Sequence, residues 1–141
     1  MKKVEEKKKE RKLNKGQVKV LTLLYQYRFL TTELLAQIES QKHLQVTKSR
    51  LATLEKQGYI GRRYDNSYKL LGKFASYHLL PKGLQFLKSI DVADERAIKM
   101  IYNDRKASDG FVDLCLTVCR TAQSLMSYYE DEAKVFTRTE L

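Results

Sequence analysis

Residues 45–60, QVTKSRLATLEKQGYI, constrain the fold of this chain more than any other stretch. The pattern predicts one helix of about three turns with both ends marked. Thr47 is placed as N-cap, the apolar Val46 is placed to staple onto Leu51, and Gly58 is a left-handed stop after Gln57. At 100° per residue Leu51 and Leu54 point towards a core. Gln45, Ser49, Thr53 and Lys56 point away from it, and Lys48 and Arg50 lie on the flanks. The outward face is therefore small, polar and cationic. Tyr59 and Ile60 follow, suited to pinning the helix end, and Arg62 and Arg63 open a strand-like run.

Solvated surface helices also carry Lys and Arg, so the flanking chain decides what this one is for. Up to Ile90 there are 20 Lys and Arg against 7 Asp and Glu, a balance of +13, and beyond it 7 against 10, a balance of −3. The formal net charge of +10 thus comes from the first part, which fits a polyanion-binding module joined to a segment with another duty. An anionic membrane is the rival polyanion. No amphipathic segment sets a Trp- or Phe-rich face against a Lys-rich one, no secretory apolar run follows Met1, and no apolar run approaches the ~20 residues that span a bilayer. A cytoplasmic location is the default expectation.

The segments around the central helix predict its supports. Residues 1–13 form a basic flexible arm with almost nothing to bury. A first helix starts at Asn14, with Gln17 three residues on completing a capping box, and Val20, Leu23, Leu24 and Tyr27 make its buried stripe. Thr31 or Thr32 caps a short second helix, in which Leu34, Leu35 and Ile38 face inward and Glu33 favours the N-terminal dipole. A polar linker over 39–45, broken only by Leu44, leads to the central helix. Residues 60–80 hold two Tyr-rich strand-like runs, with turn-formers at Asp65-Asn66-Ser67 and at Gly72-Lys73, either of which could be the tip. Ser76 to Leu80 form the returning strand. Pro81 then fits the first position of a helix to about Ser89, with Leu84 and Leu87 packed on the first helix.

Support helix, basic helix and basic hairpin together predict a mainly α winged helix-turn-helix over 14–90, whose second helix enters the DNA major groove. The expected DNA contacts are Gln45, Thr47, Lys48, Ser49, Arg50, Thr53 and Lys56 on the helix and Arg62, Arg63, Lys69 and Lys73 on the wing. Lys and Arg can donate to guanine while Ser and Thr adapt to several bases, so Lys48, Ser49, Arg50 and Thr53 are the expected base readers, with Lys48 or Arg50 the chief one. The wing cations suit phosphates.

The segments Tyr27-Arg28-Phe29-Leu30-Thr31, Leu51-x-x-Leu54-x-x-x-Gly58-Tyr59 and Leu80-Pro81-Lys82-Gly83 leading into Leu87 resemble the winged-helix domain of the replication-relaxation proteins of plasmids and integrative conjugative elements. The resemblance spans roughly 14–90, with Leu80 standing where the family tends to have Thr. It implies a DNA-binding accessory of plasmid replication or transfer, with a relaxase or replication protein as further partner. MarR-like and PadR-like repressors share the same elements, so a transcriptional repressor is the first alternative, and a helical protein-interaction module is the second.

Residues 91–141 predict a helical extension. Residues 91–102 suggest a helix with Ala97, Ile98, Ile101 and Tyr102 on one side, followed by a polar break over 103–108. With Ser108 as N-cap, a long helix then runs from Asp109 to about Tyr129. Phe111, Cys115, Val118, Ala122, Leu125 and Tyr129 form one apolar stripe along it, and Val112, Leu116, Cys119 and Met126 a second. A small domain covers one stripe more easily than two, so the first is the expected homodimer interface, with a simple core helix as the alternative. Residues 133–139 alternate like a strand. In the family a nuclease-like α/β domain looks to follow at such a point, so the extension is either a dimerisation element or the start of a truncated second domain.

No metal site or cofactor is expected, because Cys115 and Cys119 are four apart on one helix and His43 and His78 lie far from them in sequence. No enzymatic activity is expected either. Glu130-Asp131-Glu132 are consecutive and cannot converge on one ion from a regular helix.

Overall fold

The computed structural model describes residues 13–40 and 44–129. The expected arm before Leu13, the acidic triplet at 130–132 and the strand-like run at 133–139 lie outside the described residues. Helix α1 (Lys15–Tyr27) begins at the expected cap: the Gln17 amide donates to Asn14 Oδ1 at 2.8 Å and the Asn14 amide to Gln17 Oε1 at 3.0 Å. Val20, Leu21 and Leu24 are fully enclosed, so apolar contact extends beyond the expected single stripe. Strand β1 (Leu30–Thr31) follows, and Thr31 Oγ1 accepts from the Leu34 amide at 3.2 Å to cap helix α2 (Thr32–Ile38).

Helix α3 spans Leu44–Lys56 and corrects the expected start. Thr47 is not its N-cap but an interior residue with no exposed surface, and Val46 is 41% exposed rather than stapled to Leu51. Residues 44–47, expected to precede the helix, are part of it. The C-terminal end is as expected: Gly58 has φ 83°, and the Tyr59 amide reaches Leu54 O at 3.0 Å while the Gly58 amide reaches Glu55 O at 3.0 Å. That is a Schellman arrangement, which needs a residue free to adopt a positive φ.

Strands β2 (Ile60–Arg63) and β3 (Ser76–Leu79) pair antiparallel with Ile60 opposite Leu79 and Arg63 opposite Ser76. β1 adds to the other side of β3, Thr31 opposite Ser76, giving the order β1-β3-β2. The excursion between β2 and β3 is not a simple turn. Asp65 caps a short helix α4 (Asn66–Leu70) by accepting from the Tyr68 amide at 3.1 Å, and Gly72, at φ 67°, ends it. The Ser67 hydroxyl and the Tyr68 amide hold the Asp65 carboxyl below the ordinary carboxylate range.

Helix α5 (Pro81–Ser89) starts at its proline. It docks on the end of α3 through residues of the Leu-Pro-Lys-Gly segment. Lys82 Nζ donates to Gln57 O at 2.7 Å and lies 4.5 Å from the Tyr59 ring centre. A side chain at position 83 would sit 2.4 Å from Tyr59 O, so only glycine permits this approach. The family-like motif is thus a scaffold that fixes α3.

Helix α6 spans Glu95–Ile101, capped by Asp94; the expected start near Asp91 fails because Asp91 has φ 61°. Ala97, Ile98 and Ile101 are buried as expected, whereas Tyr102 is 53% exposed. A 3-10 turn at Asp104–Lys106 leads into helix α7 (Asp109–Tyr129), where Ser108 Oγ accepts from the Phe111 amide at 3.2 Å. One core cluster joins residues of α1, α3, α5 and the sheet to Val112, Cys115, Leu116, Cys119 and Ala122 of α7. Both stripes of α7 therefore enter the core as far as Ala122. Burying Cys119 pushes its thiol up to about 11, with Arg120 pulling weakly the other way. The architecture is a winged helix-turn-helix: α1 supports, α2 and α3 form the paired helices, and the sheet with its α4 excursion is the wing. Among the described residues, no helix is long and apolar enough to cross a membrane.

Arg28 joins the two parts of the chain. It closes α1 at φ 73° and is 9% exposed. Its guanidinium donates to both carboxylate oxygens of Asp104 and to Met100 O, and stacks 4.8 Å from the Phe111 ring centre. Burial pushes the Asp104 carboxyl up, and Arg28 opposes that shift. The unfavourable backbone at Arg28 is held by contacts some 75 residues away in sequence.

Candidate nucleic-acid interface

Leu51 and Leu54 anchor α3 in the core at 1% and 0% exposure, each contributing about 1.5–3 kcal/mol by burial. That fixes which face of α3 meets solvent. Gln45, Ser49, Thr53 and Lys56 are exposed on it, as the wheel predicts, and the flanking Lys48 is exposed with them. Thr47 is removed from the candidate contacts, because a fully enclosed side chain cannot touch a duplex.

Arg50 is also displaced from the role of reader. Its guanidinium lies 3.6 Å from the Glu39 carboxylate, whose side chain is only 4% exposed. It also lies against Gly16 of α1, where an added Cβ would meet it at 2.7 Å. Arg50 fastens α3 to the end of α2 and the start of α1. Of the two candidate chief readers, Lys48 is the one on the open side.

Lys48 lines an open groove between α3 and the wing. Arg62 from β2 and Lys69 from α4 line the same groove, with Tyr64, Tyr77 and Phe74 interleaved. Arg62 stacks 5.0 Å from the Tyr64 ring centre, which orients a cation without neutralising it. Glu33, in the first turn of α2, is the acidic member of the lining. Cations alternating with aromatic faces suit a phosphate backbone with nearby bases or sugars.

The remaining wing cations are engaged within the protein. Arg63 donates to Asp109 at 2.7 Å and Lys73 to Asp113 at 3.2 Å. Asp109 and Asp113 are one turn apart at the start of α7, so they present to the wing together. Sequence reading missed this pairing although the i, i+4 acidic repeat was visible, because nothing local says which cations it will meet. It also missed Tyr64, Phe74 and Tyr77, whose grouping depends on the register of β2 against β3.

The expected dimer stripe divides. Cys115 and Ala122 are each 1% exposed, and the Phe111 ring packs at 6.2 Å edge-on to Phe29, so these three belong to the chain's own core. Val118 is half-buried, Leu125 is 39% exposed, and the side chain of Tyr129 lies outside the described residues. The apolar surface open on α7 is instead Leu114, Leu125, Met126 and Tyr128.

Residues 21–133 match the sequence pattern of the replication-relaxation family. The fold is also similar to that of a mutant form of Lactococcus lactis ZitR, at 16% identity over 84% of this chain and 77% of that one, with a TM-score of 0.48. No curated protein matches the sequence.

Proposed function

The chain belongs to the replication-relaxation family, and from that premise we propose that it binds double-stranded DNA as a non-catalytic accessory of replication or transfer on a plasmid or conjugative element. The observation that carries this is the groove in which Lys48 of α3 comes together with Arg62 and Lys69 of the wing. α3 enters the major groove with Lys48, Ser49 and Thr53 towards base edges, while Arg62 and Lys69 follow phosphates. The site of action is the cytoplasm, where such elements replicate. A relaxase or replication protein is the further partner this role calls for.

A second copy of the chain fits the same role, because two half-sites are commonly read by paired winged helices. The exposed Leu125, Met126 and Tyr128 towards the end of α7 support that pairing. The test is competition: labelled duplex bound by the full chain should be displaced by unlabelled duplex far better than by single strands of equal length. Lys48→Ala should weaken binding. Incubation with supercoiled plasmid and Mg²⁺ should leave it uncut. Single strands competing as well as duplex, or nicking by the purified chain, would overturn the respective part.

A further inference from the structure

The wing excursion exposes a concentration of apolar surface unlike any other part of the DNA-facing side. Leu70, Leu71 and Phe74 are 86%, 68% and 61% exposed within five residues. Large apolar side chains so placed commonly mark an interaction site. The excursion is also built to hold them firmly. A helix of five residues is not stable alone, but Asp65 caps its start, the Lys73 amide reaches Tyr68 O at 2.8 Å across Gly72, and Tyr68 is buried.

Two features identify the occupant. The apolar tip adjoins the cationic groove through Phe74, which lines it together with Lys48, Arg62, Lys69 and Lys73. Cations also bracket Leu70 and Leu71 in sequence, with Lys69 before them and Lys73, whose exposed pair with Asp113 a phosphate would replace, after them. An apolar protein partner would gain nothing from that bracket, whereas a duplex presents phosphates on both sides of an apolar base stack.

We propose that Leu70, Leu71 and Phe74 form a wedge that enters the DNA minor groove beside the α3 contact and unstacks a base step, so that the protein distorts the duplex it binds. This rests on the duplex-binding function proposed above. Leu and Phe are among the side chains that proteins insert between base steps, kinking the helix by roughly 20–90°. Pyrimidine–purine steps, the most easily unstacked, are the preferred place for it. Local unstacking is what a replication or transfer accessory would supply to a machinery that needs single strands.

The test relaxes a plasmid with topoisomerase I in the presence of the full chain and then removes the protein. A companion duplex carries 2-aminopurine at a TA step. The topoisomer distribution should shift to negative supercoils in proportion to bound protein, and the 2-aminopurine should brighten. The double variant Leu70→Ala, Leu71→Ala removes side chains that are mostly in solvent and do not line the cationic groove, so it should keep the parent's circular dichroism and its salt-dependent binding while losing both signals. A parent that binds duplex with neither signal overturns the wedge and leaves duplex binding intact. A parent that binds no duplex overturns both. A variant that retains the parent's signals overturns the wedge and leaves the tip to a protein partner.

Discussion

Neutralising Asp109 and Asp113 should make the protein bind DNA more tightly, which is the reverse of what a loss of native ion pairs ordinarily does. Arg63 and Lys73 reach these carboxylates at 2.7 and 3.2 Å. The carboxylate side chains are 58% and 55% exposed, so each pair is worth about 0.2–1 kcal/mol. A duplex that recruits Arg63 and Lys73 must break both pairs, at a combined cost of about 0.4–2 kcal/mol. Asp109→Asn with Asp113→Asn removes that cost, which corresponds to binding roughly 2- to 30-fold tighter at low salt. Where the pairs keep both cations from phosphate in the parent, the slope of log K against log [salt] should also steepen by up to about 1.8, at ~0.9 per phosphate contact. Fluorescence anisotropy with a random duplex over a salt series measures both quantities. Asp91→Asn, in the loop between α5 and α6, gives the effect of one unit of net charge, and twice that free-energy change is the charge-only expectation for the double variant. If the double variant keeps its circular dichroism yet binds no tighter than that expectation, then Arg63 and Lys73 take no part in the interface and the wing docks differently.

Four further outcomes are expected. Lys48→Ala should cost about 1–3 kcal/mol on a preferred duplex and much less on a random one, whereas Arg50→Ala should instead lower folding stability by about 1–3 kcal/mol in a denaturant titration, because it leaves the buried Glu39 carboxylate unpaired. Leu125→Asp should convert a dimer to folded monomers in light scattering, and a monomeric parent would refute the dimer. Cys119 should resist a thiol reagent at pH 8 until denaturant is added. Its folded pKa of about 11 lies above the ordinary thiol value, so the folded chain keeps a proton that the unfolded chain gives up, and its contribution to stability, full below pH 9, is lost as pH rises towards 11. A pH series of denaturant midpoints checks that sign.

What could be read from sequence was local. The Asn14–Gln17 box, the Gly58 stop, Pro81 at the start of α5 and Ser108 before α7 each act through bonds within a few residues, so spacing alone reveals them. Asp65-Asn66-Ser67 was ambiguous for the same reason: such residues begin a turn or cap a helix equally well, and the burial of Tyr68 accompanies the helix. β1 is two residues long and exists only because β3 lies beside it. The site showed the same division. The exposed face of α3 followed from the positions of Leu51 and Leu54, but which cations stay open depended on distant partners. Arg50 found Glu39, Arg63 found Asp109 and Lys73 found Asp113. The acidic balance beyond Ile90 looked like a separate duty, yet two of its carboxylates fold back on the wing. Both stripes of α7 proved necessary because a single core spans the winged helix and its extension.

The most direct measurement is the affinity of the full chain for a random duplex as a function of salt. Among the described residues Lys56, Arg62 and Lys69 are exposed on α3 and the wing, take part in no ion pair of the structure and are not directed at base edges, so about three phosphates should be neutralised on a random duplex. A slope of log K against log [salt] near −2.7 is expected, at ~0.9 per phosphate, flattening by about 1.8 in Arg62→Ala with Lys69→Ala. No measurable duplex binding, or binding whose strength does not change with salt, would contradict it.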